Sequence, residues 1–546
     1  MSTENQPATP AEESPGESPS SEPTPAPETD RSPGAWGQFV GNLRNSPRLF
    51  RDSVIRHGRP TSDRAASQAV FGNFFLHILP TRIHFRSLKF RTTLGLGVIT
   101  LVLFFLLTAT GIALMVYYKP TTDQAYDSMK DIQYLVPTGR YMRNIHRWSA
   151  HGMVACVLLH MARAFYVGAY KPPRELNWVI GMLLFVLTLA LSFTGYLLPW
   201  DQLAFWAVTI GSEIAQSPRE LTDVLGITSW FDPGGAIKHL LLGSNHVGQE
   251  ALSRFYLLHV MVLPLIMTVL LAVHFWRIRK DGGLAASSRE SQVSRESSVQ
   301  SPESGLPQAS LDSSKTYGLM AVVRGRTPAV DRVMADTVPT YPHALFPIAA
   351  LSMVTLAVVL LLGHHYDAPL TEMANPAVPE NPAKAPWYFL GLQELVSYSA
   401  LMGGVVIPTI VVIGLMFVPY LDREREDVGV WFGNRQGRRV CVATAIFATW
   451  CVIALLAFTI NVGWLRDWYP RIPQIVITFV NPGTVLLAVF VAWSLGTLKR
   501  TNSTRMGALA TFTCFLVAFV ILTYFATVHR GPNWQFYWSQ ADWPVH

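Results

Sequence analysis

Runs of about 20 predominantly apolar residues recur along this chain, and that is the length a helix needs to cross a lipid bilayer. Of the 546 residues, 50% are hydrophobic and only 14% are charged, whereas a soluble domain carries about a quarter charged residues. Because a helix satisfies its backbone hydrogen bonds internally, the predicted fold class is all-α, a polytopic transmembrane helical bundle. The nine predicted spans are about 93–117, 144–168, 177–198, 252–278, 343–363, 402–420, 439–460, 474–496 and 506–527.

The segments outside the spans differ in composition. Residues 1–34 are rich in Pro, Ser and Glu, which predicts a disordered acidic tail. Residues 35–91 are basic and predict a membrane-surface segment that starts with an amphipathic helix. Residues 281–340 are polar and serine-rich. We interpret them as a cytoplasmic linker between a four-span front domain, 92–280, and a five-span back part.

Lysine and arginine cluster in the segments on one side of the predicted spans, and the positive-inside rule makes that side cytoplasmic. The loop 201–254 lies on the opposite side and carries six acidic residues against three basic ones. The N-terminus is then predicted to be cytoplasmic, and nine spans place the C-terminus outside.

Four histidines lie inside the apolar runs at matched spacings. His146 and His160 in the second span are 14 residues apart, and His259 and His274 in the fourth are 15 apart. The members of each pair therefore share a helix face and lie roughly 21–22 Å apart along the axis. Since both spans run in the same direction, His146 is level with His259. His160 is likewise level with His274. Imidazole is a standard axial ligand of haem iron, so the pattern predicts two non-covalent b-type haems, each held by two histidines.

Hydrogen bonding between helices is the alternative role for histidines at this depth. It accounts for one histidine but not for two pairs at the same depths. His151 lies five residues from His146 and points about 140° away from it. It is therefore predicted to be structural and not a ligand.

Glycines and arginines near these histidines support the haem interpretation. Gly97 and Gly111 in the first span are 14 residues apart, as are Gly181 and Gly195 in the third. A flat macrocycle between four helices needs close approach, which glycine allows. Haem propionates need cationic partners at the membrane boundary. The predicted partners are Arg143, Arg147, Arg163 and Arg279.

Several stretches together resemble a known family. GLGVITL, TATGIALMVYYKPT, RNIHRWSAH, KPPRELNWVIG, SFTGYLLPWDQLAFWAV, RFYLLH and HFWRIRK resemble cytochrome b of the quinol-oxidising cytochrome bc complexes, in particular the plastoquinol-oxidising type. The resemblance identifies 92–280 as the dihaem N-terminal domain and 341–460 as a part similar to subunit IV, which some organisms make separately. Residues 461–546 hold two extra transmembrane helices and an external tail outside the common pattern.

The resemblance implies a membrane quinol oxidoreductase subunit. Quinol is oxidised near the outer face; one electron goes to an iron–sulfur partner, and the other passes through the two haems to an inner quinone site, building a proton gradient. The implied partners are a Rieske-type iron–sulfur protein, a c-type cytochrome subunit as acceptor, the quinone pool and membrane lipid, in a homodimeric complex with no nucleic acid. The implied location is a bacterial cytoplasmic membrane.

The chain departs from the family pattern at two positions. The photosynthetic type binds an extra haem covalently through a cysteine at the position of Gly95, so no covalent haem is expected. The family signature Pro-Glu-Trp-Tyr reads Ala385-Pro386-Trp387-Tyr388 here. Pro386 cannot accept the quinol proton that the family's glutamate takes.

The sequence offers two replacements for that glutamate. Glu394 follows Pro386 by eight residues, and a short helix starting at the proline would bring it towards the same pocket. The alternative is that Glu394 is a solvated surface carboxylate. Asp201 in PWDQ is the second candidate. Trp387 and Tyr388 are assigned to the same quinol site, where Tyr388 can hydrogen-bond the head group.

Two other functions compete with this interpretation. A dihaem membrane anchor would relay electrons between a dehydrogenase and the quinone pool without splitting the two electrons of a quinol, but the PWDQ and PWY segments argue against it. A transporter or channel would need broken substrate-binding helices and would leave the four histidines unexplained.

Overall fold

The computed structural model describes Arg44 and the ranges 61–72, 79–281, 283–285, 337–424 and 428–544. The predicted tail 1–34, the predicted surface helix at the start of 35–91 and most of the linker 281–340 lie outside the described residues.

The all-α prediction is confirmed. Within the described ranges the paired strands are two short segments, β1 (Arg82–His84) and β2 (Thr337–Pro339), which pair antiparallel with Ile83 opposite Val338. The end of the linker is thus fixed to the segment that precedes the first span.

Nine long helices correspond one to one with the nine predicted spans. They are α1 Leu96–Met115, α2 Gly139–Tyr166, α3 Glu175–Tyr196, α4 Gln249–Lys280 with a π-turn at Leu258–Val262, α5 Leu345–His365, α6 Met402–Leu421 beginning with a π-turn at Met402–Val406, α7 Arg435–Asn461, α8 Pro482–Thr501 and α9 Thr504–Val528.

Eight helices in the described part of the chain are long and apolar enough to cross a membrane by length and composition. The ninth, α2, has 28 residues, but its arginines and histidines lower its mean hydropathy. It lies against α1 along its length, with His160 beside Gly97 and His146 beside Gly111. Since α1 is long and apolar enough to cross a membrane, α2 crosses to the same depth beside it.

The eighth span begins later than predicted. The sequence reads as one apolar run from 474, but the structure has a separate helix, Gln474–Phe479, before α8. Asn481 caps α8 by accepting a hydrogen bond from Thr484 N at 3.0 Å, and Pro482 occupies the first turn, where a missing N–H costs nothing. The cap and the proline divide the run.

Short helices cover the end of the bundle that contains Asp201, here called the Asp201 end. They are Ala125–Tyr134, Gln202–Gln216, Arg219–Val224, Pro233–Leu242 and Trp387–Tyr398. The remaining short helices are Asp63–Gly72, Phe85–Leu88, Phe90–Thr93, Thr340–His343, Leu465–Trp468, Pro532–Trp534 and Gln540–Asp542.

The last span is integral to the bundle. Half of the apolar stretch of α9 is buried inside the protein, more than in any other of the eight qualifying helices. Phe512 of α9 stacks on Phe165 of α2 with ring centres 4.1 Å apart. At the opposite, Lys171 end, Arg505 donates to the Tyr170 hydroxyl at 2.7 Å, and Lys171 pairs with Asp422 at 3.3 Å. These contacts join the front four helices to α6 and α9.

Candidate haem and quinol site

His146 and His259 face each other across the bundle, nearer the Asp201 end. Their ring centres are 6.2 Å apart and their planes are inclined at 70°. A metal ion bound by two imidazole nitrogens at about 2 Å each holds the ring centres roughly 6 Å apart. The predicted pairing of these two residues therefore has the spacing that a six-coordinate iron requires.

The second ring nitrogen of each histidine is held by a helix. His259 Nδ1 lies 3.0 Å from the Leu191 carbonyl oxygen. His146 Nδ1 lies 2.9 Å from the Thr110 hydroxyl, and that hydroxyl donates its own proton to the Leu106 carbonyl at 2.6 Å. Both Nδ1 atoms are thus placed to donate, which leaves the two Nε2 lone pairs for a metal. Metal-binding histidines usually donate their other ring N–H to a protein acceptor in this way.

The second histidine pair lies deeper in the same helices. His160 and His274 are on α2 and α4, and the Nδ1 atom of each is buried with no hydrogen-bond partner in the described part of the chain. Arg163, one turn below His160, donates through Nε to the Thr92 carbonyl at 3.0 Å, while its buried Nη2 has no partner among the described residues. An unpaired buried guanidinium nitrogen beside a histidine pair suits a propionate.

Each of the four predicted glycines stands against one of the four histidines. A Cβ at Gly97 would meet His160 Cε1 at 3.5 Å, and one at Gly181 would meet His274 Cε1 at 4.0 Å. The corresponding distance is 3.4 Å from Gly111 to His146 and 2.3 Å from Gly195 to His259. Only at Gly195 would a Cβ overlap the imidazole; at the other three glycines it would make an ordinary van der Waals contact.

A cavity of about 340 Å³ surrounds the His146–His259 pair and continues towards the Asp201 end. Its polar lining includes Arg143, Arg147, His151, Ser192, Tyr196 and Tyr388. Helices α1, α2, α3 and α4 supply most of the lining, and the Trp387–Tyr398 helix contributes Tyr388.

The predicted propionate partners differ in their surroundings. Arg143 is buried and donates to Gln133 Oε1 at 2.9 Å and to the Ala368 and Pro369 carbonyls at 2.6 Å. It therefore also fixes the loop after α5. Arg147 lines the cavity. Arg279 lies in the last turn of α4, five residues beyond His274.

Trp387 and Tyr388 begin the short helix at the Asp201 end, and Tyr388 lines the cavity. Pro386 is the N-cap of the helix, as expected from the sequence. The Trp387 indole donates to His151 Nδ1 at 3.0 Å. Burial raises the pKa of Tyr388, opposed by a hydrogen bond with Ser192 and by the positive charge of Arg147. The hydroxyl therefore stays protonated and available for hydrogen bonding at the cavity wall.

Glu394 does not lie where the sequence argument placed it. It is fully buried, so it is not the solvated carboxylate of the alternative interpretation. It also is not among the residues lining the cavity, because its helix turns that face towards α9. Its oxygens accept from Arg530, from Trp534 Nε1 at 3.0 Å and from the Tyr398 hydroxyl at 3.0 Å. Its assignment as proton acceptor stays a prediction that this geometry disfavours.

Asp201 has a structural task. It caps the Gln202–Gln216 helix by accepting from Ala204 N at 2.9 Å, and its other oxygen accepts from Thr371 N at 3.1 Å. It is buried and does not line the cavity. Both carboxylate oxygens are therefore engaged by backbone amides.

Gly95 occupies the turn before α1, with φ of +62°. A Cβ there would meet Leu351 Cδ2 at 2.1 Å. Any side chain at this position would be strained by both the backbone and the neighbouring helix.

Sequence reasoning missed two participants. His151 was predicted to be structural and not a ligand, and its hydrogen bond to Trp387 at the cavity wall was not foreseen. Arg530, in the unplaced tail, is the partner of Glu394. Neither could be found from spacing, because both contacts join residues more than 100 positions apart.

The fold and the site define a polytopic helical membrane protein whose front four helices carry two levels of paired histidines. The Cytochrome b/b6/petB family model matches residues 84–282. The chain belongs to the cytochrome b/b6 family. It is accordingly an integral membrane protein of electron transport, a bc-type cytochrome b subunit of a membrane oxidoreductase, in a family that binds b-type haems.

Two relatives show the extent of the match. Cytochrome b6 of Heliomicrobium gestii is 46% identical over 187 residues, which are 34% of this chain and 82% of that protein. Cytochrome b6 of Synechococcus elongatus is 44% identical over 187 residues, 34% of this chain and 81% of that protein. A solved structure titled Hyperthermophilic respiratory Complex III aligns with a TM-score of 0.51 at 22% identity, covering 80% of this chain and 91% of that one. At that identity the likeness concerns the fold, and it extends into the back half.

Proposed function

We propose that this chain is the dihaem subunit of a quinol-oxidising bc-type complex, in which His146 and His259 hold one b haem and His160 and His274 hold the other. The observation that carries the proposal is the facing pair His146–His259, 6.2 Å apart with each Nδ1 fixed by its neighbouring helix. When bound, the haems supply reversible one-electron transfer. The protein orients the imidazoles through Thr110 and Leu191 and positions Arg147 and Arg163 for the propionates.

Quinol oxidation is assigned to the part of the cavity between α2 and the Trp387–Tyr398 helix. That part adjoins the His146–His259 pair and is lined by Tyr388, His151 and Arg147. Because this site adjoins the His146–His259 pair, one electron of the quinol could pass to a haem held by these two histidines. The other goes to a Rieske-type iron–sulfur protein, and from there to a c-type cytochrome acceptor.

A haem held by His160 and His274 would lie roughly 21 Å further along the same helices than one held by His146 and His259, so the two would provide an electron path towards the Lys171 end. We assign the inner quinone site to that end and the cytoplasm to that side, because its loops are the basic ones. Protons released at the Asp201 end and taken up at the Lys171 end build a gradient. A homodimeric complex in a bacterial cytoplasmic membrane is the setting that the family resemblance implies.

An electron-relaying dihaem anchor is the second candidate, and one observation weighs against it. The segment from Ala368 to Trp387 is fixed to α2 beside the cavity. Arg143 of α2 donates to the Ala368 and Pro369 carbonyls, and Trp387 donates to His151 of α2. An anchor that only relays electrons has no need for such a built pocket at this level.

Adding an oxidant to the quinol-equilibrated complex distinguishes the two. A bifurcating site sends one electron to the oxidised iron–sulfur partner and the other to the haem, so the oxidant should increase haem reduction above the level that quinol alone gives. A redox titration of the same sample should show two b-type waves. Haem that only becomes more oxidised on addition of the oxidant contradicts bifurcation, and the absence of two waves contradicts the dihaem assignment.

A further inference from the structure

We propose that His151 binds the quinol head group as a hydrogen-bond donor through Nε2, with Trp387 fixing the ring tautomer that makes this possible. The inference rests on the proposed function, because it places the quinol in the cavity beside the His146–His259 pair. It gives a role to a histidine whose position on the helix excludes it from binding that haem iron.

His151 belongs to the quinol side of the cavity. It is five residues beyond His146 on α2, so it points about 140° away from that ligand. Its ring lies 6.1 Å from the ring of Tyr388, and both side chains line the cavity together with Arg147. A head group between α2 and the Trp387–Tyr398 helix would therefore contact the imidazole.

The hydrogen bond from Trp387 determines which nitrogen of His151 carries the proton. An indole N–H is a donor only, and it lies 3.0 Å from His151 Nδ1. Nδ1 must then supply the lone pair, so the proton of the neutral ring is on Nε2. In the described part of the chain no residue hydrogen-bonds to that Nε2, and it is not one of the buried unpaired atoms. The Nε2–H is thus free to donate.

A donor at this place suits a quinol or quinone oxygen. The Nε2–H can donate to a lone pair of the head-group oxygen whether that oxygen is a hydroxyl, an anion or a carbonyl. A neutral donor favours the more negative oxygen, since hydrogen bonds to charged acceptors are about twice as strong. His151 therefore assists loss of the hydroxyl proton without accepting it. This matters here because Pro386 stands where the family has a proton-accepting glutamate.

Pro386 and Trp387 have separate roles at the start of this helix. Pro386 has no proton-accepting group, but it starts the helix that presents Trp387 to α2. Without the indole N–H, the imidazole could carry its proton on either nitrogen, and part of the population would turn a lone pair towards the head-group oxygen. Trp387 is in this sense a positioning residue.

The test uses the intact complex carrying His151→Leu, which removes the donor, or His151→Gln, whose amide can accept from Trp387 and donate to quinol. Loss of one neutral hydrogen bond should raise the KM for quinol about three- to tenfold in His151→Leu, with smaller change in His151→Gln. Both variants should keep two b-type components. His364→Leu, an exposed histidine of α5 outside the cavity lining, is the matched control and should leave KM unchanged.

A vibrational readout separates binding from a merely structural contact. The carbonyl stretch of bound quinone should move towards the free-quinone frequency in His151→Leu and stay lowered in His151→Gln. Trp387→Phe, which keeps the ring but removes the donor, should split or broaden that band and gives an independent test if His151→Leu does not assemble. An unmoved carbonyl band in His151→Leu or in Trp387→Phe overturns the proposal. Loss of a haem component in His151→Leu also overturns it. A wild-type complex that lacks quinol-driven haem reduction would instead overturn the proposed function.

Discussion

Arg530 of the C-terminal tail and Glu394 of the Trp387–Tyr398 helix form a buried ion pair. Nη2 lies 2.5 Å from Oε1 and Nε lies 2.9 Å from Oε2, and Glu394 is fully buried. Burial lowers the pKa of Arg530, but the hydrogen bond and charge of Glu394 outweigh it and raise that pKa. The tail therefore braces the helix that carries Trp387 and Tyr388, and the last two spans bring it there.

Glu394→Gln should impair assembly rather than only the proton step. It leaves the Arg530 guanidinium buried without its counter-charge, and breaking one partner of such a pair costs about 3–5 kcal/mol. Thermal stability of the complex and quinol-dependent haem reduction should both fall. Measured alongside, Asp201→Asn keeps one cap oxygen and should have the smaller effect.

The double variant Glu394→Gln with Arg530→Met is the decisive control. Removing both charges relieves the buried unpaired cation, so stability and turnover should recover in part. If Glu394 is the proton acceptor, the double variant will regain stability but stay inactive. Recovery of stability without any recovery of turnover would therefore show that bracing is not the whole role of Glu394 and would reinstate the sequence-based assignment.

Substitution of the four histidines should remove the two haem components in pairs. His160→Leu and His274→Leu should abolish the same spectral component and spare the other, and His146→Leu and His259→Leu should abolish the second. The check is a dithionite-reduced difference spectrum with redox titration. The His151 variants serve as the control and should retain both components. Two histidines from different levels affecting one component would contradict the pairing.

The cellular side of each terminus can be checked with fused reporters. A reporter at about residue 300 should be cytoplasmic, and one after residue 546 should be external, since the five crossings of α5 to α9 separate the two positions. A cytoplasmic C-terminal reporter would mean that one of the nine long helices does not cross. The apolar stretch with the lowest mean hydropathy of the eight qualifying helices is in α8, so that helix would be re-examined first.

The histidine pairs and the number of long helices were predictable because both depend on local periodicity. A spacing of 14 or 15 residues fixes a shared helix face without knowledge of the neighbours. The glycine positions were predictable for the same reason, although the overlap that a Cβ at Gly195 would make with His259 required the packed structure. The short helix Gln474–Phe479 before α8 was missed because the apolar run was read as one span across Asn481 and Pro482, although an Asn-Pro pair marks a break.

The surroundings of the quinol site were less predictable because they depend on distant contacts. Glu394 was expected to face the pocket because it follows Pro386 by eight residues, yet its carboxylate is paired with Arg530, 136 residues away. His151 was read only through its angle to His146. Its partner Trp387 lies 236 residues further along the chain, and no local pattern connects them.

Adding a methyl group at each glycine should affect the two haems unequally. At Gly195 the new Cβ would meet His259 Cε1 at 2.3 Å and Nδ1 at 2.8 Å, so the ring must leave its position and its bond to Leu191. Gly195→Ala should therefore lose or strongly shift the component assigned to His146 and His259. Gly181→Ala is the matched control, because its Cβ would meet His274 Cε1 at an ordinary 4.0 Å. It should leave both components within about 20 mV, roughly the shift that a fraction of a kcal/mol produces. Equal effects of the two substitutions on the two-wave titration would show that the glycines do not make room for the imidazoles.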